Sequence, residues 1–364
     1  MGAFTFNKWN IVLGWFVFSI AVMTYWSTVE PTASFWDAGE YITTASNLEV
    51  GHPPGAPLYQ LMGAFFSIFA MEATNIALTI NLMSVFASAF TILFMFWSVT
   101  ILLSNLVEKN DTLNKSNKIA ILGSAAVASL TFAFTDSFWF SAVEAEVYAM
   151  AAFIMSVLFY AGLRWEREMF DPRGDKWVVL IAFVVGLSFG VHFMGLLTIP
   201  AIGFLYFFKN YKKVTVKNFL IANVATVAIL LFIFKLLLPM TLRFFSASEI
   251  FFVNTLNMPF NSGTVIAGLV FLAVFYFGLR ATRTKNFVKL NTLLLCVLFI
   301  FIGFSSWLML PIRANAGTVI NENNPNNARE LLAYYNREQY PETHLFIGPQ
   351  FTESYVGRDD DNTY

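Results

Sequence analysis

The sequence predicts an all-α polytopic membrane protein of about nine transmembrane helices, with a further helix lying at the outer interface. Three observations carry that prediction. Hydrophobic residues make up 57% of the 364 and charged residues 12%, against about 25% charged in soluble domains, and mean hydropathy is +0.62. Apolar runs recur through residue 311, each near the roughly 20 residues that cross a bilayer as a helix. The clusters of basic residues between those runs all fall on one face, with Arg243 the only basic residue in its outer loop.

In chain order the predicted spans are 10–29, 75–103, 119–137, 142–163, 177–191, 193–208, 218–239, 263–279 and 290–311. The first lacks a small-residue cleavage pattern and reads as a retained anchor. Segment 58–71 is apolar but short, which suits an interfacial helix. The fifth and sixth runs share a polar midpoint at Gly190 and His192, so they are either two spans or one broken element. Lys8, then Lys109, Lys115 and Lys118, then Arg164, Arg167, Arg173 and Lys176, then Lys209, Lys212, Lys213 and Lys217, and last Arg280, Arg283, Lys285 and Lys289 alternate onto one side. The positive-inside rule makes that side cytoplasmic. The outer side receives 30–74, the link 136–141, 240–262 and everything from 312. Residues 1–311 thus form a membrane domain that includes outer loop 30–74. Residues 312–364 are polar and too poor in apolar residues for a core of their own, so they cap the outer face or begin a larger soluble portion.

Composition excludes several classes. A net charge of -1 gathers no nucleic acid. Cys296, alone, offers neither a disulfide framework nor a Cys-rich metal site. No GxGxxG or GxxxxGK[ST] loop is present for a nucleotide.

Chemistry concentrates in residues 35–57, FWDAGEYITTASNLEVGHPPGAP. On a helix, Asp37 and Glu40 project from the same side one turn apart. Flanking Phe35, Trp36 and Tyr41 predict partly apolar surroundings. Burial beside a second carboxylate raises a carboxyl pKa towards the range useful for proton transfer. The plain alternative is a solvated acidic loop, with Glu40 capping a helix. His52 opens a turn stiffened by two prolines and bent at Gly55, which fixes the imidazole for a substrate or phosphate, or for backbone. Glu144 and Glu146 open the fourth span, and two apart on a helix they diverge. Acids there are costly unless hydrated or paired, which makes both donor-binding candidates, with helix–helix hydrogen bonding as the alternative. Lys235 inside the seventh span, Arg243 beyond it and Arg313 after the ninth are cations suited to a lipid phosphate, or they snorkel. His192 either lines a cavity or packs between helices.

TVEPTASFWDAGEYITTASNLEVGHPPGAPLY at 28–59, WFSAVEAEVYAM at 139–150, and LPIRANAGTVINENNP with NREQY at 310–340 resemble a Bacteroidetes membrane family formerly called domain of unknown function 2723. That family is similar to protein O-mannosyltransferases and groups with the GT-C glycosyltransferases. The resemblance implies a GT-C-like bundle in a bacterial inner membrane, its site on the periplasmic face. Members are commonly longer, so the chain is expected to be a truncated or short one. The implied reaction moves a sugar, mannose for preference, from a polyprenyl-phosphate donor to Ser or Thr of an exported protein. Asp37 and Glu40 match the first-loop carboxylate pattern, and Glu144 and Glu146 the acidic fourth-helix pattern. Asp37 is then the base that takes the hydroxyl proton as its oxygen attacks the anomeric carbon, inverting the configuration. The lipid phosphate leaves towards Arg313, Arg243 or Lys235. A divalent metal is left open, because four outer acids could hold one while related transferases include metal-independent catalysts. The expected partners are the lipid-linked donor, the acceptor protein and membrane lipids, with no nucleic acid. Two rivals stand beside this reading. Intramembrane acids and a discontinuous 177–208 would also serve a secondary transporter, and a non-catalytic assembly component would need neither activity.

Overall fold

The computed structural model describes residues 6–110, 114–341 and 348. The side chain of Lys109 and the acidic segment 357–364 lie outside the described residues. Within them the regular elements are helices, apart from one isolated parallel bridge between Val50 and Asn321. The helices are α1 (Phe6–Trp26), α2 (Ala38–Asn47), α3 (Pro57–Ser67), α4 (Ile76–Asn110), α5 (Lys115–Ala133), α6 (Asp136–Ala142), α7 (Val147–Glu168) and α8 (Asp175–Ser188). They continue as α9 (Thr198–Asn210), α10 (Val216–Leu231), α11 (Leu238–Ile250), α12 (Ser262–Thr284), α13 (Val288–Phe304), α14 (Met309–Asn315) and α15 (Ala328–Asn336). Eight helical stretches among the described residues are long and apolar enough to cross a membrane. They are α1, α4, α5, α7, α9 with the turn before it, α10 running into α11, α12, and α13 running into α14.

The remaining predicted crossing, the fifth (177–191), is α8, whose 14 residues fall short of that length. Side chains at both ends fix its direction. Trp177 at its start donates to Glu168 at the end of α7 (2.8 Å), and past its far end His192 lies 5.6 Å from Tyr148 at the start of α7. α8 is therefore antiparallel to α7. Trp165, late in α7, stacks on Tyr206, late in α9, at 5.7 Å, so α9 returns alongside α7. Segment 175–210 is a helical hairpin, not one broken element, and the basic clusters keep to one face. α8 also packs tightly on α13, where a Cβ on Gly186 would overlap the Ile300 carbonyl oxygen.

Two predicted loops are helical. The link 136–141 is α6, and much of 240–262 belongs to a 40-residue helical run from Val216 to Thr255. At 1.5 Å per residue that run is about 60 Å long, twice a bilayer's hydrocarbon core of about 30 Å. It carries two π-helical stretches, Phe232–Leu237 and Phe251–Thr255. Its outer part, α11, packs against α15. Buried Glu249 then accepts from the amides of Asn261 and Thr264, tying the start of α12 to α11.

The core falls into two clusters. One joins α1, α4, α5 and α6 around Val17, Tyr25, Ile92 and Phe96, and Tyr25 donates to the Ala133 carbonyl at 2.8 Å. The other runs from α2 and α3 through α7, α8 and α13 to α15. At its centre Trp307 is 1% exposed and donates to the Phe189 carbonyl at 2.9 Å. α2 and α3 sit over this second cluster on the outer face, with α3 where the interfacial helix was expected.

Candidate functional site

Asp37 is the N-cap of α2 and Glu40 lies in its first turn, so both carboxylates leave the same side of one helix end. The residue before them, Trp36, has φ 64, a left-handed value that a bulky side chain rarely adopts. That turn throws Phe35 and Trp36 outward, 85% and 89% exposed. Of the three rings expected to give apolar surroundings only Tyr41 lines the site, together with Val147 and Phe189.

Glu40 faces back towards the His-Pro-Pro-Gly turn. Its Oε1 accepts the His52 amide at 2.7 Å, and its two oxygens lie 3.1 and 3.0 Å from His52 Nδ1. Gly51 permits that approach, since a Cβ there would stand 2.7 Å from Glu40 Oε1. The other ring nitrogen, Nε2, is 4.0 Å from Asp37 Oδ2. Glu40, His52 and Asp37 therefore form a line, with the imidazole between two carboxylates. Burial pushes Glu40 up, but the His52 hydrogen bonds outweigh it and leave the carboxyl below its usual value. The Glu40 hydrogen bond raises His52 against the opposing effect of burial, and the Glu40 and Asp37 charges add to it.

Glu144 and Glu146 do not lie on the fourth span. Glu144 is in the bend after α6, and Glu146 is the N-cap of α7 with an extended backbone. Both are buried, at 5% and 6% exposure. Glu144 accepts from the Ser34 hydroxyl at 2.7 Å, tying the first outer loop to this bend, while burial raises its pKa against that bond. Burial, with the Asp37 and Glu144 charges, pushes Glu146 up to about 7 against the lowering effect of the Val147 and Asp37 backbone amides.

Asp37, His52, Glu146 and His192 line one cavity of about 210 Å³, with Tyr41, Tyr148, Phe189 and Arg337. His192 Nδ1 accepts the Met194 amide at 3.2 Å. Glu40 stands behind His52, outside the lining, and Glu144 is next to the site through Ser34. The three cations singled out in the sequence lie elsewhere. Arg313 donates from Nε to the Leu48 carbonyl and from Nη2 to that of Asn47 at 3.2 Å, satisfying the end of α2. Lys235 is exposed, over the Phe234 ring at 4.9 Å, and Arg243 is exposed on α11. Arg337 was missed because it sits in the polar tail, far in sequence from any span. Its signal was the NREQY motif. Among the described residues no group of three or more His, Cys, Asp or Glu is placed to hold a metal ion.

Residues 37–215 match the family model described as the protein O-mannosyl-transferase TMEM260 N-terminal domain. That stretch holds every carboxylate and histidine of the cavity. Two curated relatives bear a matching description. Protein O-mannosyl-transferase tmem260 of Dictyostelium discoideum is 25% identical over 206 residues, which are 53% of this chain and 23% of that protein. Protein O-mannosyl-transferase TMEM260 of Mus musculus is 27% identical over 172 residues, 47% of this chain and 22% of that protein. The chain thus spans less than a quarter of the length of these relatives. No solved structure matches it. The chain is similar to O-mannosyltransferase-type membrane domains, which supports a GT-C-like architecture and a glycosyltransferase-type function in general. The similarity is not to the Bacteroidetes family specifically. It also overturns the expected location: the matched relatives are eukaryotic, so the assignment to a bacterial inner membrane with a periplasmic site is withdrawn, and what stands is a multi-pass membrane protein.

Proposed function

We propose that the cavity lined by Asp37 is the catalytic centre of a membrane glycosyltransferase that moves a sugar from a polyprenyl-phosphate donor to a Ser or Thr hydroxyl of an acceptor protein. Mannose is the preferred sugar, because the matched relatives are named protein O-mannosyl-transferases. The observation that carries this reading is the line Glu40–His52–Asp37, which opens into a cavity shared with a second carboxylate, Glu146. Asp37 is the accessible end of the line, its side chain 58% exposed. It is the group placed to take a proton from an incoming hydroxyl. That oxygen then bonds to the anomeric carbon as the bond from carbon to the phosphate oxygen breaks, and the configuration inverts. Phosphate leaves as an anion, so no separate acid is needed. Base assistance of this kind contributes about 10²–10⁴-fold, and orientation adds to it. His52, its pKa raised by the Glu40 hydrogen bond, stands beside Asp37 with Nε2 4.0 Å from the carboxylate.

In this reading residues 1–311 form the membrane domain of the transferase, and the tail from 312 serves as a cap over its outer face. The test uses full-length protein in liposomes, given a radiolabelled polyprenyl-phosphate sugar and a Ser/Thr-rich acceptor peptide. Label on the peptide is the expected result. Solute uptake without peptide labelling would replace the transferase with a transporter.

A further inference from the structure

The outer cavity collects negative charge from Asp37, with Glu40 and Glu146 close by, yet the proposed donor carries an anionic phosphate. A cation must face it. Arg337 is the one lysine or arginine lining the cavity among the described residues. It terminates α15 in the left-handed region, φ 58, with its amide bonded to the Tyr334 carbonyl at 3.1 Å. Its guanidinium lies 4.4 Å from the centre of the Tyr340 ring. It forms no ion pair among the described residues. The planar fork is therefore orientated by an aromatic face while its hydrogens stay uncommitted to any carboxylate.

α15 is fastened to the same turn that carries His52. The Tyr334 hydroxyl donates to the Gly51 carbonyl. Gly55, at φ 74, leaves the Tyr334 ring its place, for a Cβ there would stand 2.8 Å from the hydroxyl. Further back, the Val50 amide donates to the Ile320 carbonyl at 3.1 Å and the Glu322 amide to the Val50 carbonyl at 3.0 Å, so the tail is zipped onto the segment leading into Gly51. Tyr335 packs on Trp307 at 5.2 Å. The tail thus fixes the arginine relative to His52 and Asp37.

Resting on the donor class proposed above, we infer that Arg337 is the phosphate-binding residue of this cavity, supplied to the membrane domain by the tail. Its two-pronged guanidinium suits the paired oxygens of a phosphate monoester or diester. It holds the donor phosphate across the cavity from Asp37 and stabilises the charge that develops as the sugar departs. The three cations nearer the spans serve other purposes: Arg313 closes α2, while Lys235 and Arg243 face outward.

Binding of radiolabelled polyprenyl phosphate to the full-length protein in nanodiscs tests this, with polyprenol as the uncharged control. The wild type is expected to prefer the phosphate at least about tenfold. R337A and R337Q are each expected to lose that preference while binding polyprenol as the wild type does. R337K should keep part of it, because lysine supplies a point charge without the fork. Undiminished preference in both R337A and R337Q would overturn the assignment and leave the donor class standing. A wild type that binds phosphate and alcohol alike would overturn the donor class itself, and the role of Arg337 with it.

Discussion

Glu146 is the residue whose behaviour depends most on its setting. It is 6% exposed and its pKa is pushed up to about 7 from an ordinary 4.5. A carboxyl raised in the folded state binds its proton more tightly there than in the unfolded chain. The stability it contributes is therefore complete below about pH 4.5 and is lost as pH rises through about 7. The whole effect is of order 3 kcal/mol. His52, also raised, acts in the same direction, while Glu40, lowered, contributes stability that is lost only in acid. Comparing one variant with the wild type isolates the Glu146 share. E146Q stays uncharged at every pH, so its advantage in melting temperature over the wild type is expected to grow from pH 5 to pH 8. Parallel pH profiles would contradict it. The pairing of Asp37 with Glu40 on one helix side was legible in their three-residue spacing. The placement of Glu146 was not, because an acid at the start of an apolar run gives no sign of whether the helix begins before it or after it.

At the scale of elements, the site is assembled from segments whose sequences do not announce their meeting. α2, the His-Pro-Pro-Gly turn and the start of α7 lie within the stretch that predicted chemistry or acids. α15 does not: its polar tail reads as a loop or cap, and only the fold brings Tyr334 under Gly51. The clasp has a measurable strength. Y334F removes the bond to the buried Gly51 carbonyl and leaves that oxygen unpaired, a loss of about 1–3 kcal/mol. Chemical denaturation of the variant should reveal it, and a stability equal to the wild type would show that the tail is not fastened there. The 40-residue run from Val216 was split in the sequence reading. Its apolar stretch ends near Pro239, and proline near the end of a run reads as a stop; here it sits in the first turn of α11, after a π-helical stretch that loosens the ladder.

The molecule as a whole was the most legible level. Composition and the alternation of basic clusters are averages over many residues, so they tolerated a span boundary misplaced by several residues. They did not decide between a hairpin and a broken element at 175–210, because the polar midpoint at Gly190 and His192 suits either. A hairpin places residues 173 and 212 on the same face. In a C296S background, R173C and K212C should both resist a membrane-impermeant thiol reagent added from the outer side, while S34C reacts. Opposite labelling of R173C and K212C would return 175–210 to a single pass. The proposed activity is likewise a property of the entire assembly, in which a membrane bundle would set the depth, an outer loop supply the acids and the tail close over them. Its centre is the claim that Asp37 is the base. The decisive measurement is sugar transfer from a polyprenyl-phosphate donor by D37N, an exposed and nearly isosteric change, compared with wild type of the same melting temperature. A fall in turnover of about 10²-fold or more with donor binding retained is expected; transfer at the wild-type rate would contradict it.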